Sequence, residues 1–126
     1  MRNAIIFTIA ILILFIAGYW QIKYIEETSI YAMSDVEYIM NLVQNNNFDG
    51  ANTHIIELEK TWGNMRNIWS IFIMHDEIDD IETALVNFKT YIKLKNKEES
   101  LVYSELLKQN LGHISKRQKI TIENVF

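Results

Sequence analysis

Residues 54–72 read HIIELEKTWGNMRNIWSIF, and their apolar side chains fall at Ile55, Leu58, Trp62, Met65, Trp69 and Phe72. Steps of three and four return side chains to one face of an α-helix, whereas a half-buried strand would alternate every second residue. Gly63 lies off this stripe and would cost only about 1 kcal/mol in a helix interior, so the helix is expected to run through it. A helix with one apolar face must bury that face against other elements. Trp62, Trp69 and Phe72 would supply much of the buried area, and a core role for them outweighs binding of an aromatic or cationic ligand.

Towards the C-terminus the seam loses its phase, because Asp76 and Asp79 occupy the next apolar positions. A new stripe follows at Ile78, Ile81, Leu85, Phe88 and Ile92. Its first turns carry Asp76, Glu77, Asp79, Asp80 and Glu82, and its end carries Lys89, Lys93, Lys95 and Lys97. That order complements the helix dipole, so a fresh helix should begin near His75 or Asp76. A continuous, slightly rotated helix is the alternative, since Ile71 and Met74 would join the stripe at Ile78. The last long helix is expected over about residues 98–111, burying Leu101, Tyr103, Leu106, Leu107 and Leu111, with Ile114 as a further candidate and Gly112 as its stop. Ser115 and Gln118 have the form of a capping box for one more short turn. Ile120, Ile122, Val125 and Phe126 would then form an apolar tail docked on the bundle.

Towards the N-terminus, residues 45–50 (NNNFDG) read as a turn, with Asp49 suited to cap the helix that follows. Ala32, Val36, Ile39 and Val43 keep helical spacing, so a helix should reach about Gln44. Before it, residues 3–22 contain no charge, and their centre reads IIFTIAILILFI. Roughly 20 such residues suffice to cross a hydrocarbon core about 30 Å thick. Tyr19 and Trp20 stand where an interfacial aromatic belt would be, followed by Lys23. No small-x-small site flanks Ala17 and Gly18, so a retained anchor is favoured over a cleaved signal. Arg2 and the amino terminus on one side, against Lys23 among Glu26, Glu27, Asp35 and Glu37 on the other, place the N-terminus in the cytoplasm. The expected organisation is therefore a single-pass anchor in the cell membrane over residues 1–25 and an extracytoplasmic helical domain over 26–126. The fold class is all-α, with one transmembrane helix continuing into a small antiparallel bundle. The turn at residues 45–50 recurs loosely at 96–99, which hints at two related hairpins.

Composition agrees. A chain of 126 residues, 49% apolar and 22% charged, allows one modest domain and is too apolar for disorder. The absence of proline and the four glycines favour long helices. With no cysteine there is no disulfide, thiolate nucleophile or cysteine-held metal. A net charge of −4 disfavours a nucleic-acid partner. Abundant Ile, Asn and Lys fit AT-rich bacterial coding, and the chain has no glycosylation sequon.

Chemical candidates are few. His75 and Asp79, four apart, would share a helix face and could supply two metal ligands with Glu82 or Glu57 as a third, but without a second histidine at ligand spacing a dipole-neutralising helix start is the stronger reading. His113, Lys116, Arg117 and Lys119 could meet an anionic lipid or wall polymer, or simply form a solvated helix end. There is no Gly-x-Ser-x-Gly elbow, phosphate-cradling loop or zinc-protease signature, and the pairs Asp76/Asp79 and Glu98/Glu99 are local to helices. Neither an enzyme nor a cofactor is expected.

The segment NFDGA (residues 47–51), Trp62 and Trp69 seven apart, the string HDEIDDI (75–81) and the ending IENVF (122–126), together with the single anchor, resemble domain-of-unknown-function family four-three-six-three, small membrane-anchored helical proteins of Gram-positive anaerobes. The resemblance covers essentially the whole chain. Where the family reads His-Glu-Glu-Ile-Asp, this chain has Asp76 in the second place, which keeps the charge. The resemblance implies the anchored architecture and no activity.

The leading functional expectation is an interaction module that binds and supports a larger membrane or envelope protein, or another copy of itself. An extracytoplasmic ligand or ion sensor is the alternative; with only Met1, Arg2 and Asn3 on the cytoplasmic side it would have to signal through a membrane partner. An envelope hydrolase is the contrast case.

Overall fold

A computed structural model describes residues 1–125, and among them the chain is entirely helical: α1 (Arg2–Gln44), α2 (Phe48–Phe72), α3 (His75–Lys93) and α4 (Lys97–Val125). Each helix packs against the next, and α4 returns to α1, so the four close into an up-and-down antiparallel bundle. The core is built mostly from the expected stripes. Trp69, Phe88, Ile25, Ile39, Ile55, Ile78, Ile81, Ile92, Leu107, Leu111 and Ile114 are the large side chains most fully removed from solvent.

Only part of α1 belongs to that bundle. Residues 2–17 are all exposed, and the buried positions Ile22, Ile25, Ser29, Ala32, Val36, Ile39, Met40 and Val43 begin where the charge-free run ends. The helix is long and apolar enough to cross a membrane. It passes from the bare segment into the core without a break in its 43 residues, a length of about 65 Å.

The α1–α2 and α3–α4 turns are built alike. Asn46 and Lys95 adopt the left-handed conformation, at φ 62° and 56°. The amide of Asn47 then reaches back to the Leu42 carbonyl (2.8 Å) and that of Asn96 to Tyr91 (3.0 Å), the six-to-one bond of a Schellman ending. In each turn the next residue caps the following helix: Asn47 Oδ1 accepts from the Gly50 amide (3.0 Å) and Asn96 Oδ1 from the Glu99 amide (3.1 Å). The cap of α2 is thus Asn47, not Asp49, because the helix starts two residues earlier and leaves Asp49 in the first turn, where its charge still suits the dipole. The shared turn supports the reading of two related hairpins.

The α2–α3 corner differs. Ile73 and Met74 are extended, α3 begins at His75, and Ile73 alone of residues 71–74 is buried. Phe72, expected to close the core stripe, is 49% exposed, because the corner lies at the end of the bundle with nothing beyond it to pack on.

The largest correction concerns α4. Gly112 does not stop it and residues 115–118 form no separate turn; among the described residues the expected tail is the last turns of one helix that runs to Val125, with Ile120 and Val125 exposed and Ile122 half-buried. Phe126 lies outside the described residues. The glycine serves contact instead: a Cβ on Gly112 would come within 3.2 Å of the Met33 Cε, so its hydrogen lets α4 lie close to α1. Among the other residues expected in this helix's core, Leu107, Leu111 and Ile114 are buried, Leu101 and Tyr103 half-buried, and Leu106 exposed. Gly63, by contrast, has open space around it within an unbroken α2.

Candidate functional site

The two tryptophans tie helices together through both ends of their indoles. Trp69 is completely buried, and its Nε1 donates to the Thr28 hydroxyl of α1 at 3.0 Å. Trp62 packs edge-on against it, with ring centroids 5.4 Å apart at 83°. The Trp62 Nε1 donates to Glu82 Oε1 of α3 at 3.3 Å, and Arg66 Nε donates to the same oxygen. Each polar tip therefore has a partner inside the bundle. Ile78 and Ile81 are buried beside this α2–α3 seam, and the gap among Ala32, Leu58, Trp62, Met65, Ile81, Leu85, Leu107 and Leu111 is only about 10 Å³, room for no ligand.

The residues weighed as metal ligands are not brought together. His75 and Asp79 are exposed at the start of α3. Glu82 is engaged by Trp62 and Arg66, while Glu57 lies on the opposite flank of α2, its Oε2 3.7 Å from His54 Nδ1. Among the described residues no group of three or more His, Asp and Glu side chains is placed to hold a metal ion. The carboxylates Asp76, Glu98 and Glu99 are likewise exposed on first turns of their helices.

The basic cluster on α4 divides. Arg117 makes a forked pair with Glu77 of α3, at 2.5 and 2.7 Å, and these hydrogen bonds hold the Glu77 carboxyl below the usual carboxylate range. Lys116 and Lys119 are exposed, and His113 lines an open polar groove of about 420 Å³ with Glu77, Asp80, Gln109, Asn110 and Ile114.

Sequence reasoning missed a cleft between α1 and α2. Tyr31, Asp35 and Tyr38 from α1 face His54, Glu57 and Thr61 from α2 around a space of about 110 Å³. The His54 and Tyr38 rings meet edge-on at 4.8 Å. Burial pushes the Asp35 carboxyl up; His54 opposes that shift and Glu57 adds to it. The signal was present in the spacing, since 31, 35 and 38, like 54, 57 and 61, recur at helical intervals on one face each. Two carboxylates and two phenols on this scale offer hydrogen-bond acceptors and ring faces to an amine, without the convergent ligand set that a metal ion needs.

Residues 19–125 match the protein family described as Domain of unknown function (DUF4363). The chain belongs to that family. The DUF4363 match spans the whole bundle and begins at Tyr19, so residues 1–18, the bulk of the bare apolar run, lie outside it, and the likeness covers less than the whole chain. No curated protein and no solved structure gives a significant match to this DUF4363 chain.

Proposed function

We propose that this DUF4363 protein is a membrane-anchored interaction module, an accessory subunit that holds a helical bundle on the extracytoplasmic face for a larger membrane or envelope protein, with no catalytic role. The observation that carries this reading is the division of α1, whose first half is apolar and bare while its second half is a quarter of a filled core. A surface for the partner is offered along α1 and α4, where exposed Ile30, Val102 and Leu106 flank Met33 and Gly112 in an open groove. The full-length protein, tagged at its C-terminus, should be cross-linked in native membranes, extracted in mild detergent and its co-purifying proteins identified. A defined membrane partner that Leu106→Glu releases, with helicity unchanged, is the expected result. Recovery of the tagged chain alone as a monomer would reject the module.

The cleft around Asp35 and His54 favours one second reading, a sensor of a small cationic ligand. A thermal shift with simple amines that Asp35→Asn abolishes would move the assignment to it; a shift that persists in Asp35→Asn, or none, would not.

A further inference from the structure

The two ends of the bundle differ in character. At the far end the turns read NNN (45–47) and LKNK (94–97). At the end from which the bare segment of α1 leaves, residues 67–75 carry no Asp, Glu, Lys or Arg, and three of the four apolar side chains at the corner point outward: Ile71 is 73%, Phe72 49% and Met74 68% exposed. α4 ends at the same end of the bundle, with Ile120 and Val125 also exposed.

Helix register fixes how far these groups lie from the end of the apolar run. Trp69 bonds Thr28, which stands about 12 Å along α1 from Trp20, and α2 runs back the other way, so the corner lies roughly 5–8 Å beyond the level of Trp20. Gly112 faces Met33, about 20 Å from Trp20, and the thirteen residues from there to Val125 bring α4 back to about Trp20's own level. The polar layer on each side of a bilayer's hydrocarbon is about 5–7 Å deep. If α1 spans with Trp20 at its boundary, the corner and the last turn of α4 fall within that layer.

We infer that the α2–α3 corner is a membrane-contact site, with Ile71, Phe72 and Met74 inserted among the lipid headgroups and upper acyl chains next to α1, and with the end of α4 completing the contact. This rests on the reading of α1 as a membrane span. The occupant is the lipid surface and not a second copy, because the corner lies at the end of the bundle from which the apolar run of α1 leaves, a few ångströms from the level of Trp20, and residues 67–75 carry no Asp, Glu, Lys or Arg, while the charges of the last turns of α4, Lys119 and Glu123, are exposed where headgroups can solvate them.

The cysteine-free sequence makes the test direct. Single cysteines at Ile71, Met74, Leu14 and Leu94 of the full-length protein are labelled with an environment-sensitive fluorophore, and the protein is reconstituted in phosphatidylcholine–phosphatidylglycerol vesicles with or without lipids brominated high on the acyl chain. The Ile71 and Met74 labels should shift to the blue and lose fluorescence to the brominated lipid, while Leu94, exposed at the far turn, does neither. Quenching at Leu14 with Ile71 and Met74 behaving like Leu94 would overturn the corner contact and leave the anchor standing. No quenching at Leu14 would overturn both. Blue emission from Met74 without quenching would mean that protein covers the corner, and would also overturn the proposal.

Discussion

Trp69 shows how one side chain can join burial to direction. It fills the centre of the bundle and donates its N–H to Thr28, so truncation leaves a cavity and removes one donor from a hydroxyl that keeps its own bond to the Tyr24 carbonyl. Trp69→Ala should lower stability by about 3–5 kcal/mol in thermal or denaturant melts of the full-length protein in micelles, with Trp69→Phe costing distinctly less. If Trp69→Ala melts with the parent, the indole is not a core residue. Two carboxyls give acid stability opposite signs. Glu77 is held below its ordinary pKa by its bonds to Arg117, so the pair's contribution is fully present above the unfolded carboxylate's pKa and is lost as pH falls through the folded one. Asp35 is raised by burial, so its ionised form opposes folding at neutral pH and that opposition fades on acidification. Glu77→Gln should therefore cost about 1 kcal/mol at neutral pH, the pair being partly solvated, and should flatten the acid limb of the stability profile. Asp35→Asn should raise the melting temperature at neutral pH and lose that advantage in acid. A Glu77→Gln profile parallel to the parent's would exclude this origin of the acid limb.

Glycine has opposite meanings in two of the helices. Gly63 sits in an exposed helix interior with nothing near, so Gly63→Ala should stabilise by about 0.5–1 kcal/mol. Gly112 lies against Met33, so Gly112→Leu should separate α1 from α4 and lower the melting temperature; an unchanged value would mean that close packing is not why glycine stands there. The same pair marks what could be read from sequence. The four helices, the start of α3 at His75, the end of α1 at Gln44 and the passage through Gly63 were legible because stripe periodicity and charge order report the chain's own local preference. The role of Gly112 was not, since a glycine near the end of a stripe marks a stop or a contact according to what crosses it, and Met33 is 79 positions away in the chain. The Asp35–His54–Glu57 cleft escaped for a related reason: polar residues at helical spacing look like a solvated face until the neighbouring helix brings a second such set opposite. The exposure of Phe72 depends on where the bundle ends, which no stripe encodes.

At the scale of the whole molecule, the proposed anchor makes a topological statement. Protease added to intact spheroplasts should digest a C-terminal tag, and the protein should keep its first twenty residues by mass; a protected tag would invert the orientation, and a shortened chain would identify a cleaved signal. The two hairpins share one turn geometry and are joined by a corner of different construction, so the bundle has two unlike ends, which the proposed membrane contact would put to use. The unbroken α1 adds a mechanical property. A flexible linker would let a domain wander above its tether, but here the tether is itself a stave of the barrel. From Ile22 to the far turn is about 35 Å, so a 10° change in the inclination of α1 would carry the Asn46 and Lys95 turns sideways by about 6 Å. On the proposed reading of α1 as a span, a change of bilayer thickness that tilted α1 would thus be transmitted as a displacement far from the lipid, with the bundle acting as the long arm of a lever.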